Sequence, residues 1–271
     1  MARLLHLSDL HFGRTRPELL QPLVDIAWQL KPDVTLISGD LTQRAREWQF
    51  EAAANLIADL PQPVLAVPGN HDIPLDRPLS RFLRSFAAYK ADISPDLEPM
   101  LDLPGVRIVA VNTAWPFAWE HGKVRGRSLA RAVQRLQEAP PGVLRVVMLH
   151  HPLIHPPGAR KEPMPNGESA AHALSEAGAD IVLSGHLHSW GAAADMLREG
   201  RRAMLQVSAG TGLSTRLRGE ENDFNLIETL SPPPVHKLRV TRYVARTGGA
   251  GFTPGPTADF VEGEAGWCPA E

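Results

Sequence analysis

The chain has 271 residues, 43% hydrophobic and 21% charged, with a formal net charge of -2; a chain of that length can bury roughly 75% of its unfolded surface, so a core without staples is expected. The near-neutral balance gives no whole-chain reason for a nucleic-acid backbone or an anionic membrane as partner. One cysteine, Cys268, rules out an internal disulfide, and neither a signal peptide nor an 18-residue apolar span is read from the sequence, so the cytoplasm is the expected location.

Arg3 to Leu7 is the first predicted strand, and Pro17 to Leu30 the first helix, with Leu20, Leu23, Val24, Ala27 and Trp28 near helical spacing. Asp33 to Ile37 is a strand, Gln43 to Leu60 a helix capped by Thr42, and Val64 to Val67 a strand. Ser80 to Tyr89 reads as a helix, Val106 to Val111 as a strand, and Ser128 to Gln137 as a helix capped by Ser128. Val143 to Leu149 is a strand, Ser169 to Glu176 a helix, and Asp180 to Leu183 a strand. Then the rhythm changes: Arg202 to Val207, Phe224 to Glu228 and Lys237 to Val244 are predicted strands with little helix between them. The first two-thirds is therefore an α/β alternation with largely parallel pairing, and the last third mostly antiparallel. The Pro-rich patch Ser231 to Pro234 is expected as a tight connection. Residues 1–246 form the expected catalytic domain, and 247–271, rich in Gly, Pro and Ala, a tail that lies over the surface or is disordered.

Five short clusters each follow a predicted strand. They are Asp9-Leu10-His11, Gly39-Asp40, Gly69-Asn70-His71-Asp72, His150-His151 and Gly185-His186-Leu187-His188. The carboxyl ends of strands in an α/β sheet form the crevice where ligands sit, so residues distant in sequence can converge there. Aspartate, the Asn carbonyl and imidazole suit Mn, Fe, Zn, Co or Ni. No thiolate is available for a structural zinc site of the cysteine type. Asp-X-His or Gly-Asp alone reads as well as a turn or a helix cap. Gly-Asn-His-Asp is sharper, arising by chance in about one chain in a thousand of this length. The order and strand-end placement of all five together favour a metal site over coincidence.

This set resembles the calcineurin-like metallophosphoesterase superfamily, over Leu4 to about Val244, and within it the branch of cyclic-nucleotide phosphodiesterases and glycerophosphodiesterases. Gly39-Asp40-Leu41-Thr42, His150-His151-Pro152, and Gly210-Thr211-Gly212 followed by Asn222-Asp223-Phe224-Asn225-Leu226 add to it. The resemblance implies a two-sheet α/β/β/α sandwich holding two divalent or mixed-valence ions, Mn, Fe or Zn. It implies Asp9, His11 and His188 on the first ion, Asn70, His150 and His186 on the second, and Asp40 bridging both. His71 would face the phosphate as the catalytic residue, and His151 would be packed or one layer out. The chain departs from many members at Gln43, three positions after Asp40, where they carry a second aspartate. Arg44 reads as a solvated helix-face residue beside Arg46 rather than a phosphate-binding arginine.

The implied reaction is hydrolysis of a small phosphodiester by a hydroxide held between two metals, with His71, if protonated, as a positive donor. No Gly-X-Ser-X-Gly elbow is present. Substrate choice falls to the loops. Asn112 to Arg127 holds Trp115, Phe117, Trp119, His121, Lys123, Arg125 and Arg127, which either stack on a base and hold a phosphate or anchor the loop to the body. Leu153 to Glu168 is a second candidate rim. Arg216 and Arg218 in a third loop either reach an anionic substrate or pair with Glu220 and Glu221. A DNA-processing nuclease of the same superfamily is the first rival, disfavoured by the absence of a basic stripe. A phosphomonoesterase is open, because one centre serves both esters. A scaffold that lost its metals is disfavoured, because every ligand position holds a metal-competent residue. No nucleic-acid partner or membrane span is expected, and a homo-oligomer is left open.

Overall fold

The computed structural model describes residues 1–194, 202–231, 236–246, 248 and 251–270. The expected connection at Ser231 to Pro234 falls largely outside them. Thirteen strands among the described residues make two sheets. The first sheet contains β1 (Arg3–Leu7), β2 (Val34–Ile37), β3 (Val64–Ala66), β10 (Asp223–Thr229), β11 (Lys237–Ala245), β12 (Phe252–Gly263) and β13 (Gly266–Pro269). Its order is β13-β12-β11-β10-β1-β2-β3. The second contains β4 (Met100–Leu103), β5 (Val106–Ala110), β6 (Leu144–Met148), β7 (Ile181–Ser184), β8 (Gly191–Ala194) and β9 (Leu205–Ser208), in the order β4-β5-β6-β7-β9-β8. β1, β2 and β3 run parallel, as do β5, β6, β7 and β9, while β10 to β13 are antiparallel.

The sheets pack face to face with helices outside both, because their central strands are apolar on both faces. In β1, Leu4 points into the core between the sheets, and Leu5 and Leu7 point to the helix layer. That outer layer is α1 (Leu20–Leu30) and α2 (Glu47–Asp59). In β6, Val146 and Met148 face the inter-sheet core, and Val147 faces α5 (Gly126–Gln137) and α6 (Gly167–Glu176). The fold is thus the expected α/β/β/α sandwich. Its open crevice lies past the carboxyl ends of the parallel strands.

Several boundaries differ from the sequence reading. Thr42 does not cap a helix at Gln43. Its hydroxyl is bound to Asp72, and α2 begins at Glu47, where the Gln49 side-chain oxygen accepts the Arg44 N–H at 2.9 Å. Arg44 is exposed but lies before the helix, not on its face. The helix expected over Ser80 to Tyr89 is two short ones, α3 (Pro78–Leu83) and α4 (Ala87–Asp92). Ser128 is inside α5, which follows Arg125. β4 and β8, four residues each, are strands that the sequence reading did not contain.

The largest correction concerns the expected tail. Residues 252–263 and 266–269 are strands, β12 pairing along β11 and β13 along β12. Phe260 and Trp267 close the inter-sheet core and Phe252 joins the outer one. Composition hid these strands. β13 covers only Phe260–Gly263 of β12, so Pro254 and Pro256 sit where β12 has one open edge and needs no second donor. Among the described residues no helix is long and apolar enough to cross a membrane.

Candidate metal centre and its rim

The five clusters meet in the crevice. β1 delivers Asp9 and His11, β2 Asp40, and β3 Asn70 and His71, all from the first sheet. β6 delivers His150 and His151, and β7 His186 and His188, all from the second. Asp9, His11, Asp40 and His188 form one buried group whose ligand atoms lie within 4.8 Å of one another, and His150, His151 and His186 form another. Asp9 Oδ1 is 3.1 Å from His188 Nε2 and 3.5 Å from His11 Nε2. Asp40 Oδ2 is 3.3 Å from His150 Nε2 and 3.8 Å from His11 Nε2, so it stands between the groups.

The backbone here is strained. Asp9, His11, Asp40, His186 and His188 all have left-handed φ, between 51° and 70°. Such conformations cost about 1–3 kcal/mol each outside glycine. Main-chain bonds between neighbouring loops hold them: Asp9 N–H to Gly39 O, His11 N–H to Asp40 O and Gly185 N–H to His150 O, each 3.0 Å. Two motif glycines serve close approach rather than turning. A Cβ at Gly185 would lie 1.8 Å from Ser8 Oγ and 2.4 Å from Asp9 Oδ2; one at Gly69 would lie 2.2 Å from Asp40 Oδ1.

Each carboxylate has one satisfied oxygen and one bare one. Asp9 Oδ2 accepts from Ser8 Oγ at 2.7 Å and His186 N–H at 2.8 Å, and Asp40 Oδ1 accepts from His71 N–H at 2.8 Å. Asp9 Oδ1, Asp40 Oδ2, Asn70 Oδ1, His150 Nε2 and His151 Nε2 are buried without a hydrogen-bond partner. Leaving so many polar atoms unsatisfied costs about 1–3 kcal/mol each unless something else engages them. The rings are aimed from behind: His150 Nδ1 donates to Ser38 O at 2.8 Å and His188 Nδ1 to Arg216 O at 3.0 Å, which frees each Nε2. His11 Nε2 and His188 Nε2 face each other at 3.2 Å. Convergent oxygen and imidazole acceptors of this kind fit divalent cations of the Mn, Fe or Zn type.

The electrostatics agree. Burial alone would raise Asp9 and Asp40, yet the imidazoles, His188 for Asp9 and His150 for Asp40, hold both well below the usual carboxylate range. Burial opposes a charge on His150, but Asp40 pushes it up to about 9; that proton is the one a cation must displace. Burial and neighbouring cationic groups hold His151 and His186 well down. Burial lowers His71 to about 4, against the pull of Asp40, so its imidazole is neutral near pH 7.

Around the ligand atoms lie residues the sequence pattern did not single out for support. Asp72 accepts from Leu41, Thr42 and Gly69 N–H and from the Thr42 hydroxyl, which ties the Asp40 loop to the Asn70 loop. Burial, and then Asp40, pushes its carboxyl up to about 7. Its place at the end of Gly-Asn-His-Asp was the signal. His151, expected to be packed or one layer out, bonds Thr113 Oγ1 through Nδ1 at 2.8 Å, and its ring lies tilted 4.4 Å from that of His186. Lys161, from the second candidate rim, donates to His186 O at 2.7 Å and lies 3.2 Å from His186 Nδ1. Nothing in its local sequence marked it. Gln43 is buried against His71, whose Nδ1 lies 2.9 Å from the Gln43 carbonyl. Glu220 and Glu221 pair with Arg242 and Arg16, and Arg216 reaches His71 Nε2 at 2.9 Å.

A cavity of about 320 Å³ opens beside Asn70 and His71, walled by Gln43, Arg81, Trp119, His121 and Arg216. The 112–127 loop holds some aromatics against neighbours and turns another to the cavity. Trp115 packs on Phe117, and Phe117 on Phe82, anchoring the loop. Trp119 reaches the cavity, with the Arg81 guanidinium 4.4 Å over its ring.

Two packed sheets with a cation-competent cluster at their shared strand ends define a phosphoesterase-type sandwich. A sequence model of the calcineurin-like phosphoesterase family matches residues 2–190, and the chain belongs to that family. Over 127 residues it is 32% identical to a probable cyclic nucleotide phosphodiesterase of Synechococcus sp., covering 46% of this chain and 45% of that protein. Over 80 residues it is 31% identical to the glycerophosphodiester phosphodiesterase GpdQ of Enterobacter lignolyticus, covering 26% of this chain and 29% of that protein. The chain thus spans less than half the length of either relative. Among solved structures, purple acid phosphatase PPD1 from yellow lupin (Lupinus luteus) seeds superposes with a TM-score of 0.71 at 13% identity, over 94% of this chain and 53% of that one. GAP50, the anchor in the inner membrane complex of Plasmodium, gives 0.62 at 11%, over 93% and 88%. At these identities the likeness is one of fold.

Proposed function

We propose that this chain hydrolyses small phosphodiesters of the cyclic-nucleotide or glycerophosphodiester type with a pair of divalent ions, Mn, Fe or Zn. The observation that carries the reading is the convergence of bare acceptors, Asp9 Oδ1, Asp40 Oδ2, Asn70 Oδ1 and His150 Nε2, beside an open cavity. Asp9, His11 and His188 would hold one ion, Asn70, His150 and His186 the other, and Asp40 both. When bound, such a pair supplies Lewis acidity toward phosphoryl oxygens and acidifies a water toward neutral pH. The chain's own part is placement. Asp72 locks the two loops that carry Asp40 and Asn70. His150 and His188 direct Nδ1–H toward Ser38 O and Arg216 O, so each turns Nε2 to the centre, where a cation would displace the proton that Asp40 favours on His150. Trp119 offers an aromatic wall to the organic group beyond the phosphate.

The preference for diesters rests on the stretches shared with proteins named as phosphodiesterases. One observation favours a second reading, a phosphomonoesterase: Lys161 and Arg216 bring two further positive charges to the centre, which suits a dianion. GAP50 carries this fold as an anchor, but a bare scaffold would not need so many unsatisfied buried acceptors. A substrate panel with Mn separates the readings. It should contain cyclic nucleotides, glycerophosphodiesters, bis-p-nitrophenyl phosphate, p-nitrophenyl phosphate and DNA. Diesters should turn over fastest; faster turnover of p-nitrophenyl phosphate than of every diester would assign the monoester role, and cleavage of DNA alone the nuclease one.

A further inference from the structure

Arg216 lies in the loop between β9 and β10, and its guanidinium Nη1 is 2.9 Å from His71 Nε2. His71 Nδ1 is 2.9 Å from the Gln43 carbonyl oxygen, which can only accept. The proton is therefore on Nδ1, and Nε2 offers a lone pair to Arg216. The imidazole turns no N–H toward the cavity, whereas the guanidinium has five N–H donors. The acids of its own loop are engaged elsewhere, Glu220 by Arg242 and Glu221 by Arg16, while Glu120 shares the cavity lining with it. The loop is held firmly. Gly210 N–H donates to Asp223 Oδ1 at 2.7 Å, and Asn222 Nδ2 donates to Thr211 O at 3.0 Å and Ser214 O at 2.8 Å. Ser214 Oγ accepts the Arg216 N–H at 3.0 Å. The guanidinium is thus placed by a built loop, half-buried, in the wall of the cavity beside Asn70.

We propose that Arg216 is the cation that grips the phosphoryl oxygens of the substrate, resting on His71 Nε2 when none is bound. A guanidinium bonds an anionic oxygen about twice as strongly as a neutral acceptor and matches a phosphate with two parallel N–H groups. An arriving phosphate therefore draws it from the imidazole. The proposal rests on the phosphoester reading, diester or monoester alike.

The test compares the wild type, Arg216→Ala and Arg216→Lys after loading with Mn. Metal content, affinity for inorganic phosphate by calorimetry, and kcat/KM on bis-p-nitrophenyl phosphate and p-nitrophenyl phosphate are measured for each. All three should carry the same metal. Arg216→Ala should bind phosphate about 10-fold or more weakly and lose about 10²-fold in kcat/KM, the scale of a lost charged donor. Added guanidinium ion should recover part of both losses, as should Arg216→Lys. Unchanged phosphate affinity and turnover in Arg216→Ala would overturn the proposal and leave the phosphoester reading standing. Loss of metal in that variant would also overturn it, since the side chain would then support the centre through His71. A wild type that binds phosphate through Arg216 yet cleaves no ester would keep the grip and sink the phosphoester reading.

Discussion

At the centre, Asp9, His11, Asp40, His150, His186 and His188 are at most 3% exposed, sit directly after strands and are tied by main-chain bonds from loop to loop. At the rim, Trp119 is 55% and Phe117 63% exposed, and their contacts are from side chain to side chain. The first region is rigid because the strained backbone at five of its residues survives only where the surroundings over-determine it. The second tolerates change because little of it is buried. Substitutions should differ in kind accordingly: a loss at the centre should reach every substrate, and a loss at the rim should depend on which substrate is offered.

The largest effect is expected for Asp40→Ala. It removes the one carboxylate standing between the two ligand groups, leaving the cations with less negative charge between them. Metal analysis should find at least one ion missing, with nearly all activity gone on every ester. Full occupancy with near-wild-type turnover would dissolve the contrast between centre and rim. Next comes His71→Ala, which should keep both ions yet slow turnover by about 10²-fold, the scale of a lost acid–base or electrostatic group beside the phosphate. If an ion is lost instead, His71 belongs among the ligands. The smallest and most selective effect is expected for Trp119→Ala. Stacking on a base is worth about 1–3 kcal/mol, so kcat/KM for a cyclic nucleotide should fall well below that for bis-p-nitrophenyl phosphate, chiefly through KM. Trp115→Ala, which removes an anchor outside the cavity wall, should lower both substrates together. Equal losses from Trp119→Ala on both substrates would make the whole loop structural.

The centre was far more legible than the rim. Asp9, His11, Asp40, Asn70, His71, His150, His186 and His188 each stand in a short motif just after an apolar strand, so strand-end placement and residue chemistry were visible together. Lys161 and Asp72 were not read as supports, because their roles depend on loops that meet only after folding. Trp119 and Trp115 were indistinguishable in sequence. Only the fold turns one to the cavity and the other onto Phe117.

The sequence by itself determined the alternation of strands and helices through residue 183, apart from β4 and the break between α3 and α4, together with the parallel-then-antiparallel change of pairing and the set of metal-competent residues. Those follow from apolar periodicity and from the chemistry of Asp, Asn and His, which are local properties. Tertiary structure decided what depends on partners distant in the chain. It paired residues 252–269 into the first sheet, where Phe260 and Trp267 found a core that their Gly- and Pro-rich surroundings did not announce. It split the centre between two sheets, with the carboxylates, His11 and Asn70 from one and four imidazoles from the other. It also held the ligand-bearing backbone in left-handed conformations, which Asp and His visit more readily than most residues but still rarely, through main-chain bonds between strand ends.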